Sequence, residues 1–144
     1  MTTGLQHLHS FIPYLFLPIL VLSTVTFLVK FLGKNSFTKS DKMLGLSTLI
    51  LSHLQLVFGL ILYFAGSKGF TFTKIEGFMK DPELRLYAIE HPSVMILAIG
   101  LITFGYAKAK RLQRDSKKFT TLGLSFLIAL ILILSRIPWE VWLA

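Results

Sequence analysis

Residues 119–135, FTTLGLSFLIALILILS, hold no charged side chain and run into Arg136-Ile137-Pro138-Trp139. An uninterrupted apolar run of this length is what a helix needs to cross a hydrocarbon layer of ~30 Å, where each backbone N–H and C=O must find its partner within the segment. Immediately before it lie Lys108, Lys110, Arg111, Arg114, Lys117 and Lys118, the densest basic stretch of the chain. Three further apolar runs precede that stretch. The expected helices are at about 9–31, 43–65, 82–109 and 119–141, which uses up most of the 144 residues and leaves no room for a separate soluble domain. The fold class is therefore all-α, an integral membrane four-helix bundle forming a single transmembrane domain, with the lipid bilayer as its main solvent. A hydrophobic share of 53% and a mean hydropathy of +0.69 agree with this.

The ends of the runs carry recognisable helix signals. Gly33-Lys34-Asn35-Ser36 ends the first helix, which Pro13 and Pro18 are expected to bend, and Thr38 or Ser40 is placed to cap the second. Gly66, Ser67 and Gly69 close the second helix. The connection from Gly66 to Lys80 mixes Phe70 and Phe72 with Lys and Glu, a composition compatible with a short hairpin or an interfacial segment. Asp81-Pro82-Glu83 is a strong start for the third helix, and Pro92 is expected to kink it. The first run lacks both a basic leader and a small-residue cleavage signal, so it reads as a retained helix.

The formal charge of +8 does not point to nucleic acid, because Lys and Arg cluster in the short segments beside the apolar runs. The first and third connections carry almost unopposed positive charge, which the positive-inside rule places on the cytoplasmic side, with both termini outside. Trp139 and Trp142 then fall at the outer interface, where indole rings commonly sit. The absence of cysteine excludes disulfides, thiolate metal sites, covalently attached haem and cysteine-held iron–sulfur clusters.

Ionisable groups inside a bilayer are costly and therefore informative. All four histidines, His7, His9, His53 and His91, lie in or at the edge of apolar runs. At 1.5 Å per residue, His91, Arg136 and His9 sit at ~25, ~27 and ~31 Å from the cytoplasmic ends of their helices, and His53 at ~16 Å. Imidazole is a usual axial ligand of b-type haem, which is held between helices without a thioether bond. The expected cofactor residues are His91 with either His9 or His53 as axial pair, with Arg136 turned inward beside the haem propionates and Glu90 or Glu140 as its other candidate partners. A metal site without haem, drawn from His7, His9, His53, His91 and Glu90, is the alternative, and histidines satisfied by neighbouring helices in a structural subunit are the third reading. Gln6, Ser10, Tyr14 and Tyr87 are candidates for supporting hydrogen bonds or a quinone pocket. The stripe Gly45, Thr48, Ser52, Gln55, Gly59 and Tyr63 on the second helix reads as a packing seam.

The stretches GLQHLHS, SHLQLVFGLILYF, MKDPELRLYAIEH and IPW together resemble a family of short bacterial four-helix membrane proteins labelled cytochrome b-like. A more distant likeness is to the HemJ type of membrane protoporphyrinogen oxidase. The resemblance implies a protein of the bacterial inner membrane that binds haem b and transfers electrons, with quinone or a membrane redox protein as partner. It picks out His7, His9, His53, Glu90 and His91. Whether any reaction is catalysed stays open, and a homo-oligomer is compatible with the chain.

Overall fold

The computed structural model describes residues 2–143. They form α1 (Thr2–Phe11), α2 (Pro13–Leu32), α3 (Lys39–Ala65), a 3-10 helix (Gly69–Lys74), α4 (Pro82–Arg85), a π-helical turn (Leu86–Glu90), α5 (His91–Arg111), α6 (Asp115–Ser135) and α7 (Trp139–Trp142), with no strand among the described residues. Four helical stretches are long and apolar enough to cross a membrane: Thr2–Leu32, Lys39–Lys74, Pro82–Arg111 and Asp115–Ser135. The all-α bundle expected from the sequence is the architecture observed. Packing runs from α2 to α3 to α5 to α6 and closes back on α2, so that helices adjacent in sequence are neighbours in space. The first and last of the described residues lie at one end, called here the terminal end, and the connections 33–38 and 112–114 lie at the other, the basic end.

The helix limits depart from the sequence expectation in four places. The first helix begins at Thr2, not near His9, so both N-terminal histidines lie on it. The second begins at Lys39 because Thr38 is the cap: its hydroxyl accepts from Asp41 N–H while Asp41 Oδ2 accepts from Thr38 N–H at 2.8 Å. Of the hairpin and the interfacial segment left open for the Gly66–Lys80 connection, no hairpin forms, and residues Gly69–Lys74 are a 3-10 helix. The fourth helix stops at Ser135 and not at 141, since Pro138 has no N–H to continue it, and the chain resumes as the short α7. Asp81 caps α4 as expected, accepting from Glu83 and Leu84 N–H at 2.9 and 3.0 Å.

Packing is tightest from the middle of the bundle to the basic end. Phe27, Phe119 and Phe126 are fully buried against one another, with ring centres 6.3 and 5.7 Å apart. Ser23 Oγ lies 2.7 Å from Thr48 Oγ1; the Thr48 proton is engaged by the Leu44 carbonyl, so Ser23 donates and ties α2 to α3. Gly105 lets α5 approach α6, since a Cβ there would stand 2.5 Å from Ser125 Cβ. Leu22, Val25, Val29, Ile128 and Ile131 are exposed, as lipid-facing residues should be. On α3 the buried residues end at Ser52. The turns beyond it border a cavity.

Candidate functional site

That cavity, of about 310 Å³, opens at the terminal end between α1, α3, α5 and α7. Its volume falls at the lower end of the ~300–1,000 Å³ usual for small-molecule and cofactor sites, and its wall is mostly apolar with a few convergent polar groups. Both His9 and His91 line it, together with Gln6, Ser10, Gln55, Tyr63 and Tyr87.

Two prolines shape the helix turns that carry the histidines. Pro13 has no N–H to give to the carbonyl four residues back, which is that of His9; Gln55 Nε2 donates to this oxygen instead, at 2.9 Å. Pro92 in the same way frees the carbonyl of Ala88, and the Tyr63 hydroxyl donates to it at 3.0 Å. The turn before Pro92 is widened, with His91 N–H reaching back five residues to Leu86 O. The local disturbance expected from Pro92 thus takes the form of a π-helical turn directly ahead of His91. Gly69, at φ 76°, packs so closely under Tyr63 that a Cβ would stand 2.8 Å from its ring. The half of the α3 stripe toward the terminal end is therefore more than a packing seam: Gln55 and Tyr63 replace the donors that the prolines lack. We expect Tyr63→Phe, which leaves the buried Ala88 carbonyl without a donor, to lower stability in detergent by about 1 kcal/mol. Thermal unfolding followed by circular dichroism measures this, and a variant as stable as the parent would remove the compensating role.

His91 Nδ1 lies 2.8 Å from the carbonyl oxygen of Arg136. A carbonyl only accepts, so Nδ1 carries the proton and Nε2 keeps its lone pair, the orientation typical of metal-ligating histidines. His9 is backed by Gly59, where a Cβ would stand 2.9 Å from His9 Cε1. His9 Nδ1 and Gln55 Oε1 are buried without a hydrogen-bond partner, and His9 Nε2 has only a long contact of 3.4 Å to Gln55 Nε2. The two imidazole planes are nearly perpendicular, at 83°, with ring centres 6.3 Å apart. With metal–nitrogen bonds of ~2.0–2.1 Å and a ring centre about 1.2 Å behind each nitrogen, two imidazoles on opposite sides of one metal stand about 6.4 Å apart. The observed ring-centre separation is close to that value.

Other sequence candidates lie elsewhere. His53 Nε2 is 3.0 Å from Thr103 Oγ1, whose proton goes to Ile99 O, so His53 donates and links α3 to α5 outside the cavity. His7 is exposed. Arg136 does not turn inward: its side chain is 44% exposed, and its Nε pairs with Glu90 Oε2 at 3.2 Å. Its contribution to the site is its backbone carbonyl, freed where α6 ends. Glu90 also accepts from Arg85 Nε at 2.7 Å, so it joins two arginines and does not orient His91. No group of three or more His, Cys, Asp or Glu residues gathers as metal donors among the described residues. Tyr14 stacks on Trp142, ring centres 4.9 Å apart, and the Trp142 indole donates to Ser10 O at 2.9 Å, closing α7 over α1. Gln55, Gly59 and Trp142 were not singled out as site residues from sequence. The available signal was the pairing of each proline with a donor in the α3 stripe. Comparison of the chain with family models, with curated proteins and with solved structures finds no match in any of the three.

Proposed function

We propose that this chain is a b-type haem-binding membrane protein that carries electrons, in which His9 and His91 would hold the haem iron. The observation that carries the reading is the approach of these two imidazoles, ring centres 6.3 Å apart, at the wall of one largely apolar cavity. When bound, the haem supplies one-electron exchange between ferric and ferrous iron. The chain supplies the rest. Arg136 O holds His91 with Nε2 free, and Gln55 and Gly59 hold His9 with Nδ1 free of other partners. Phe16, Leu17, Met95 and Ile99 make the apolar wall that limits water and so favours a neutral, ligating imidazole. Lys68 is the one Lys or Arg among the described lining residues, and its ammonium lies 4.3 Å over the Tyr87 ring and 3.7 Å from Glu83 Oε1.

The test is an absorption spectrum of the full chain purified in mild detergent after expression with a haem precursor, air-oxidised and then reduced with dithionite. The expected result is a Soret band that sharpens on reduction, with α and β bands of a low-spin bis-histidine haem. A featureless visible spectrum from folded protein supplied with haem would overturn the reading.

A second occupant of the same cavity is favoured by one observation. Gln55 Oε1 and His9 Nδ1 are a buried acceptor and ring nitrogen without partners, which is the polar pair a quinone or quinol headgroup would bond. Quinone recovered in solvent extracts of haem-free protein would favour that reading.

A further inference from the structure

At the basic end, a smaller cavity of about 130 Å³ lies between the start of α3, the end of α5 and the start of α6. Lys42, Lys110 and Lys118 line it, each from a different helix, beside Phe37 and Tyr106. Lys118 Nζ stands 5.0 Å over the Phe37 ring and Lys110 Nζ 5.9 Å over that of Tyr106, so two of the three ammonium groups are held against aromatic faces at the cavity wall.

The only carboxylate among the described lining residues, Asp41, is already satisfied. Its Oδ1 and Oδ2 accept from Lys30 Nζ at 2.8 and 2.7 Å, and Oδ2 also accepts from Thr38 N–H and Oγ1–H at 2.8 and 2.9 Å. Lys42, Lys110 and Lys118 have no carboxylate at ion-pair distance among the described residues. Three positive charges therefore converge on one opening where the helix ends meet the expected headgroup layer, with no internal anion to balance them. Basic pockets between membrane helices at this depth suit phosphate-bearing headgroups.

We propose that this cavity binds the phosphate group of an anionic phospholipid, with Lys42, Lys110 and Lys118 as its ligands. The site is independent of the histidine cavity at the other end. It serves to hold the ends of α3, α5 and α6 together through one shared anion.

The experiment is native mass spectrometry of the full chain released from detergent, titrated separately with phosphatidylglycerol, phosphatidylcholine and inorganic phosphate. Phosphatidylglycerol is expected to be retained well above phosphatidylcholine. Each lysine near an anionic lipid is worth on the order of fivefold, so Lys42→Gln, Lys110→Gln and Lys118→Gln combined should lower phosphatidylglycerol affinity by on the order of a hundredfold. Lys34→Gln, Lys39→Gln and Lys117→Gln combined remove the same charge outside the cavity and should lower it far less. Binding of inorganic phosphate that the cavity variant abolishes, without preference for the anionic lipid, would keep the phosphate chemistry and assign the free ion as its source. Equal retention of the two lipids with no phosphate binding, or equal losses in the two triple variants, would overturn the proposal. Helical content by circular dichroism confirms that both variants are folded.

Discussion

His91→Ala is expected to abolish the Soret band predicted for the purified protein, and His9→Ala to do the same, whereas His53→Ala should leave it in place. Even the partners that orient a metal-bound histidine typically contribute 10–100-fold to affinity, so loss of a ligand itself should lower haem affinity by at least ~100-fold. The ordering follows from the positions: His9 and His91 line one cavity, while His53 is hydrogen-bonded to Thr103 between α3 and α5. Arg136→Ala should have a smaller effect than either ligand variant. It keeps the backbone carbonyl that His91 uses and removes only a half-exposed guanidinium paired with Glu90. Spectra normalised to folded protein, with size exclusion as the control, decide the matter. A bleached His53→Ala protein beside a haem-replete His9→Ala protein would move the axial pair to His53 and His91.

Gly105→Ala is expected to lower stability, whereas Gly100→Ala, five residues away on the same helix, should not. At Gly105 the new Cβ would stand 2.5 Å from Ser125 Cβ and Oγ, and 3.6 Å from Thr121 O. Rotating the serine side chain cannot relieve this, because its Cβ is fixed to the backbone and its hydroxyl is held by Thr121 O at 2.6 Å. The helices must part, at an expected cost of about 1–3 kcal/mol. At Gly100 nothing lies within 4 Å, so alanine there gains up to about 1 kcal/mol of helix propensity. Thermal unfolding in one detergent compares the two, and a Gly105→Ala protein as stable as the parent would mean that α5 and α6 are not held at this separation.

The readings that survived from sequence are local ones. Apolar run length gave four spans, because a helix in hydrocarbon must satisfy its backbone internally. Thr38 and Asp81 were readable as caps, because a short polar side chain before a helix finds free amides within three residues of itself. The heights of His9 and His91 were readable too, since rise per residue is constant, and the two histidines do meet.

Rotation about each helix axis was not readable in the same way. A span surrounded by lipid is apolar on its outer as well as its inner face, so hydrophobic periodicity hardly marks which side faces its neighbours. Glu90, one of the partners expected for Arg136, does pair with it, while the π-helical turn before His91 shifts the phase of what precedes it and Glu90 also takes Arg85, which the sequence did not indicate. Arg136 was read as an inward cation on the assumption that the helix continued to about residue 141; the stop at Ser135 left its side chain half exposed and its carbonyl on His91. The donors for the carbonyls freed by Pro13 and Pro92 come from Gln55 and Tyr63, distant in sequence. From sequence alone came the span count, the caps, the prolines and the depth of the histidines, all set by bonds and spacings within one segment. Only the tertiary structure decided which histidines share a cavity, because that depends on helix phase and on side chains supplied by another helix.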